Sequence, residues 1–393
     1  MDQEEWGFFT KSVHSGKLKK FKGEPVAVPI YQTSTFSTSS IDEVTEIYKG
    51  KEEGYTYTRV SNPTVRVVER RLAELEDAED GCAFSSGMAA ISTTMMSLVK
   101  SGDNVVAARG LYGGTLHLFG NILPRMGITI SFVDATNPQN VEEAIKTNTK
   151  AVYVESPTNP LLEICDLSRI ASIARKRNIT TVIDNTIATP YNQQPIKLSF
   201  DLAIHSATKY LGGHDDLTAG IVVGSSELIS SIHKLNSYLG GALDPHAGWL
   251  LLRGLMTLGL RIERQNQNAM KTAEFLASNK MVKKVHYPGL VSHPQHELAK
   301  KQMRGFGGLL SFEIKGTIET AKKFVNSLKL CKLAASLGGV ESLVTCPPLT
   351  SHRHISREQR LASGIMDELV RLSVGIEDAS DITNDLDQAF KQI

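Results

Sequence analysis

From about residue 61 onward the chain alternates short apolar runs with stretches of helical period. The strand-like runs are "GCAFSS", "NVVAAR", "ITISFVD", "AVYVES", "TTVIDN", "LAIHSA" and "AGIVVG". Such runs, separated by helical segments, predict a mostly parallel sheet covered on both faces, an α/β fold. The first long helix falls on "NPTVRVVERRLAELEDAE", with Asn62 as cap and Pro63 in the first turn. Residues 1 to about 60 have few long apolar periods and many Ser, Thr, Gly and Lys; they predict an extended arm with a short helix near "IDEVTEIYKG". One long amphipathic helix is expected at about 246–279. Beyond it, "GGLLSFEIKG", the helical "TIETAKKFVNSL" and "VRLSVGIED" predict a smaller α+β domain. The expected division is therefore an arm (1–60), a large domain (61–260) and a C-terminal domain (261–393).

Composition narrows this picture without redirecting it. The 393 residues are 41% hydrophobic and 22% charged, enough for a proper core. Lysine plus arginine number 43 and aspartate plus glutamate 42, so no charge excess points to nucleic acid or to an acidic membrane. The most apolar long segment, "GWLLLRGLMTLGLRIER", is interrupted by Arg253 and is too short to span a bilayer. Cys82, Cys165, Cys331 and Cys346 form no C-x-x-C pair, which suits a reducing compartment. The opening "MDQEEWGFFTKSVHSG" has no secretory apolar region, and a cytoplasmic location is expected.

Candidate chemistry gathers where ligands gather in open α/β sheets, at the carboxyl ends of strands. After "GCAF" comes Ser85-Ser86-Gly87-Met88, a small-residue turn feeding a helix N-terminus and suited to a phosphate. Tyr112 follows the next run, Asn159 follows "AVYVE", Asp184 closes "TTVI", and Ser206, Thr208 and Lys209 follow "LAIH". Each alone is an ordinary cap or turn residue. Together they supply a phosphate turn, a flat aromatic, a carboxylate and a lysine. Pyridoxal 5'-phosphate needs these parts: a Schiff-base lysine (Lys209) and an acid for the pyridinium nitrogen (Asp184).

The motifs "SATKYLGGH", "SSGMAA", "LYGGT", "ESPTNP", "DNT", "YTYTRVSNPT" and "RLSVGIED", in that company, closely resemble the Cys/Met-metabolism family of pyridoxal-phosphate enzymes, from about residue 10 to the end. The family includes cystathionine γ-synthase, cystathionine γ-lyase, methionine γ-lyase and the homoserine sulfhydrylases. The resemblance implies fold type I, aspartate-aminotransferase-like. It implies that Ser86, Gly87 and Met88 hold the phosphate with help from Ser206 and Thr208, that Tyr112 stacks on the ring, and that Asn159 faces the ring hydroxyl. Asp184 would pair with the ring nitrogen, Lys209 would carry the cofactor, and Ser336 and Arg371 would hold the substrate carboxylate. Tyr57 and Arg59 would reach the phosphate of a neighbouring subunit, so the active site would need a homodimer, within a homotetramer. The sequence departs from the family pattern at Ile187, at His117 and Ala335, where the cystathionine enzymes often carry arginine and glutamate, and at Gly114, which replaces the cysteine of methionine γ-lyases.

On this basis the first expectation is cystathionine γ-synthase activity, an activated homoserine plus cysteine. The alternatives are cystathionine γ-lyase or methionine γ-lyase, with a non-catalytic regulator a remote third. No metal is expected: His293, His296, His352 and His354 fit no zinc spacing and read as surface or loop residues. Cys82 reads as a buried structural thiol, with no basic neighbour in sequence. Gly212-Gly213 makes no dinucleotide fingerprint.

Overall fold

A computed structural model describes residues 6–16, 25–51, 54–353 and 356–393. All seven expected strands form: β1 Asp80–Phe84, β2 Asn104–Ala108, β3 Thr129–Val133, β4 Thr149–Glu155, β5 Thr180–Asp184, β6 Leu202–His205 and β7 Gly220–Gly224. They make one sheet in the order β1-β7-β6-β5-β4-β2-β3. Pairing is parallel through β3, β2, β4, β5 and β6, whereas β7 runs antiparallel to both its neighbours. Helices cover the sheet, so β2 and β7 are buried along their whole length. That is why these segments read as continuous apolar runs rather than alternating ones.

The helix Pro63–Glu76 begins as its sequence dictates. Asn62 accepts a hydrogen bond from the Thr64 N–H at 2.9 Å, and Pro63 occupies the first turn, where no N–H is needed. The helix Gly87–Leu98 is capped by Ser86, which accepts from the Ala89 N–H at 3.1 Å.

A second sheet comprises β8 Val282–His286, β9 Leu309–Ile314, β10 Lys332–Leu333, β11 Leu343–Thr345 and β12 Leu369–Ser373, ordered β10-β11-β12-β9-β8. The helix Ile318–Ser327 lies where "TIETAKKFVNSL" predicts it. In β12, Arg371 is flanked in register by Ser311 of β9 and Thr345 of β11. Leu310, Phe312, Phe324, Leu372 and Phe390 are among the buried residues beneath this sheet, a core separate from that of the first.

Two expectations about helices fail. The stretch at 246–279 is not one helix but two, Pro245–Met256 and Leu258–Ser278, parted at Thr257 (φ −110°, ψ 6°). The buried Arg261 guanidinium accounts for the break. It donates to Thr257 Oγ1 (3.1 Å), to the Gly254 carbonyl (2.7 Å) and to the Tyr210 carbonyl (2.7 Å). One side chain thus takes up a helix-terminal carbonyl and pins the turn that follows Lys209. The N-terminal arm is not wholly extended before "IDEVTEIYKG", which forms Ile41–Tyr48; Phe8–His14 is also helical. Its Phe8 and Phe9 rings pack edge-on against Tyr191 at 5.1 and 6.0 Å. That tertiary contact has no signature in the local pattern.

Candidate active site

The carboxyl ends of β2, β4, β5 and β6 converge with β12 and the Ala335–Leu337 segment on a cavity of about 1520 Å³. Its lining includes Ser86, Gly87, Met88, Tyr112, Asn159 and Asp184, and also Ser206, Thr208, Lys209, Ser336 and Arg371. The sequence scatters these residues over almost three hundred positions.

Lys209 lies in the turn after β6, and its Nζ donates to Ser336 Oγ at 2.8 Å. Burial pulls its pKa below the ordinary lysine value, and the Arg371 charge pulls the same way. Arg371 is 5% exposed. It donates from Nη1 to Asn159 Oδ1 at 3.1 Å and from Nη2 to the Ser336 carbonyl at 2.8 Å. Its Nε is buried without a partner among the described residues. Burial pushes the guanidinium down to about 10, so it stays cationic at neutral pH. Ser336 sits at φ 130°, a region that non-glycine residues rarely enter. That strained backbone presents the hydroxyl to Lys209 and the carbonyl to Arg371.

Asp184 closes β5 and is 6% exposed. It accepts from the Thr186 N–H at 3.0 Å and pairs with no lysine or arginine among the described residues. Burial raises its pKa above the usual carboxylate value. A buried carboxylate lacking a cation is costly unless a positive group joins it. The protonated nitrogen of a pyridine ring is such a group.

At the other end of the cavity, a Cβ on Gly87 would lie 2.8 Å from the Ser206 Cβ and 3.0 Å from its Oγ. Only glycine fits there, which leaves the first N–H groups of the helix, those of Gly87 and Met88, beside the Ser206 hydroxyl. Tyr112, 46% exposed, lines the same cavity with a ring available for stacking. A phosphate cradle, a free aromatic face, an unpaired buried acid and a lysine fit pyridoxal phosphate.

Other residues that the sequence singles out are held by their own surroundings. The Thr208 hydroxyl is engaged with its own backbone surroundings, donating to the Ala219 carbonyl (3.2 Å) and accepting from the Ala219 N–H (3.0 Å). Tyr57 and Arg59, expected to serve a neighbouring subunit, do not line this chain's cavity. Arg59 instead lies 5.5 Å from the Tyr57 ring centroid and donates to the Ser237 carbonyl. His293, His296 and His352 are buried rather than on the surface, held by local contacts such as His296 Nδ1 to the Pro288 carbonyl at 2.8 Å. His354 falls outside the described residues. Cys82 is buried, with its thiol pushed up by burial, but it does have a basic neighbour, His233, supplied by a distant helix. Glu69, Cys82 and His233 cluster closely. Their atoms are already partnered, however: His233 Nε2 with the Gly81 carbonyl (3.0 Å) and Glu69 with Arg66 (3.1 Å).

One residue of the site went unpredicted. Glu155 ends β4 directly opposite Asp184 in the register, is 4% exposed and lines the cavity. It opens the "ESPTNP" stretch, where a strand-terminal acid beside a known strand-terminal acid was the available signal.

A site of this kind on this fold defines a pyridoxal-phosphate enzyme acting on amino acids. The chain belongs to the family described as Cys/Met metabolism PLP-dependent enzyme, whose pattern matches residues 9–391. It is 48% identical over 385 residues to a cystathionine gamma-lyase of Bacillus subtilis, covering 98% of this chain and 99% of that protein. It is 45% identical over 396 residues to an L-methionine gamma-lyase of Fusobacterium nucleatum, covering 100% of both. Among solved structures, metB from Corynebacterium glutamicum superposes with a TM-score of 0.94 at 41% identity, covering 100% of this chain and 99% of that one. The chain is therefore a pyridoxal-phosphate enzyme of sulfur amino-acid metabolism. No helix among the described residues is long and apolar enough to cross a membrane.

Proposed function

We propose that the protein is a cystathionine γ-lyase, converting cystathionine and water to cysteine, 2-oxobutyrate and ammonia. The Bacillus subtilis and Fusobacterium nucleatum relatives are both named as gamma-lyases, and they favour this over the γ-synthase reaction that the sequence first suggested. The observation that selects cystathionine over methionine is the charge of the cavity wall. Its only acids among the described residues are Asp184 and Glu155, whereas Arg109, His117 and Arg353 line it in addition to Lys209 and Arg371. A substrate bearing a second carboxylate on its γ-substituent suits such a wall; the bare methyl of methionine gains nothing from it. Gly114 points the same way. A Cβ there would lie 2.6 Å from Tyr112 Cε1, so the cysteine typical of methionine γ-lyases would displace the ring.

Pyridoxal phosphate, when bound, supplies an electron sink for negative charge developing at the substrate Cα. The chain's own residues do the rest. Arg371 grips the substrate α-carboxylate through a guanidinium that Asn159 and the Ser336 carbonyl have already oriented. Lys209 Nζ is the base that would take the Cα proton. Its lowered pKa keeps a larger fraction neutral near pH 7 to 8 than an ordinary lysine would have. Ser336 Oγ holds that amine in place. Asp184 would keep a proton on the ring nitrogen, and Gly87, Met88 and Ser206 would hold the phosphate. Tyr112 covers the ring and excludes water. Tyr57 and Arg59, outside this chain's cavity, complete the phosphate site of a second subunit.

The test is a substrate panel on the purified holoenzyme: cystathionine alone, methionine alone, and activated homoserines with cysteine. The reading expects 2-oxobutyrate from cystathionine, with kcat/KM at least about tenfold above methionine, a difference of roughly 1.4 kcal/mol. Faster formation of cystathionine from an activated homoserine would restore the synthase reading.

A further inference from the structure

Glu155 is the one buried acid of the cavity that the proposed chemistry does not use, and both its oxygens are committed. Oε2 accepts from the Tyr112 N–H at 2.8 Å, and Oε1 accepts from the Asn159 N–H at 3.2 Å. Tyr112 belongs to the loop after β2, and Asn159 to the loop after β4. Neither N–H has a backbone partner among the described residues, so a single carboxyl, opposite Asp184 in the register, ties the two loops together. Asn159 in turn accepts from Arg371 through its side chain. A continuous set of hydrogen bonds therefore runs from the backbone of Tyr112, through Glu155 and Asn159, to the guanidinium of Arg371.

We propose that Glu155 is a positioning residue, a clamp that sets the stacking height of Tyr112 and the aim of Arg371 together. This rests on the roles proposed above for those two residues. Burial and the neighbouring Asp184 push the Glu155 carboxyl well above the usual range, while the two N–H groups it accepts from pull it back.

Glutamine is the informative replacement, because it has the same length but only one acceptor oxygen. Glu155→Gln can satisfy Tyr112 or Asn159 and must set an N–H₂ against the other. Glu155→Asp keeps two acceptors but is one methylene too short to reach both. Three measurements separate a clamp from a merely structural residue: cofactor affinity by titrating the apoprotein with pyridoxal phosphate, the visible circular dichroism of the bound cofactor, and KM against kcat for cystathionine. Glu155→Gln is expected to weaken cofactor binding and raise KM, each by about tenfold, and to alter the visible circular dichroism, while the melting temperature of the apoprotein stays near that of the parent. Glu155→Asp should show the same pattern. Arg371→Lys is run alongside. If it raises KM while Glu155→Gln leaves KM, cofactor affinity and the visible dichroism unchanged, the clamp is wrong and the site reading stands. If Arg371→Lys leaves KM unchanged as well, both are overturned. A general loss of melting temperature in proportion to activity would make Glu155 structural and would also overturn the clamp.

Discussion

The two walls of the cavity differ in charge and in origin. One is made by adjacent strand ends of the larger sheet and carries the buried acids Glu155 and Asp184. The other comes from the smaller sheet and its β10–β11 connection, and carries Arg371 on β12 and the strained Ser336. Lys209 starts from the first wall and reaches the second through Ser336. Neither wall neutralises the other directly: Arg371 reaches across to the amide oxygen of Asn159, not to a carboxylate. Charge held apart in this way leaves an acidic end for a ring cation and a basic end for a substrate anion. An Arg371–Asp184 ion pair would have satisfied both groups and left nothing to recruit a ligand.

Lys209 joins the two walls, and its removal should have the largest effect. Lys209→Ala is expected to lower cystathionine turnover by about 10³-fold or more, since a positioned acid–base group contributes 10²–10⁴ and the cofactor anchor is lost with it. Borohydride reduction followed by peptide mapping should place the label on Lys209 in the parent protein. Label on another lysine would remove it from the centre of the site.

The acidic wall comes next. Asp184→Asn should depress turnover by at least about tenfold, the equivalent of one pKa unit at the ring nitrogen. It carries a pH signature as well. The Asp184 and Glu155 carboxyls have folded-state pKa values raised above their unfolded ones, so each contributes most to stability at acid pH and loses that contribution as pH rises through its folded value. The apoprotein should therefore lose stability as pH rises above the ordinary carboxylate range, and Asp184→Asn should flatten that slope. An unchanged slope would mean that the acid is not buried without a partner. On the basic wall, Arg371→Lys retains the charge but loses the planar fork, and should raise KM for cystathionine by about tenfold with a smaller change in kcat.

The smallest effect concerns the phosphate cradle. Gly87→Ala forces a methyl against Ser206 and should weaken pyridoxal-phosphate binding several-fold, read by titrating the apoprotein, with little change in kcat at saturating cofactor. Normal affinity would place the phosphate elsewhere.

The walls also differ in how far the sequence discloses them. The acidic wall was largely legible, because a parallel strand buried on both faces is a short apolar run and the polar residue that ends it stands out. Asp184 after "TTVI" and Lys209 after "LAIH" are of this kind. Glu155 has the same local signal, but its purpose depends on two N–H groups from separate loops. The basic wall has no local signal. Arg371 lies mid-strand between leucine and valine, and Ser336 owes its position to an unusual φ; only resemblance to a known family singled them out. The break at Thr257 was hidden for a similar reason. Helical periodicity continues across it, and the cause is the set of carbonyls that Arg261 meets.

The most direct test of the account is the identity of the products when the holoenzyme is given cystathionine alone. Cleavage at Cγ, with Arg371 holding the α-carboxylate of the four-carbon arm, yields 2-oxobutyrate and cysteine in equal amounts. That is the predicted result, and it should disappear in Lys209→Ala. Pyruvate and homocysteine would show cleavage at Cβ of the other arm and contradict the account.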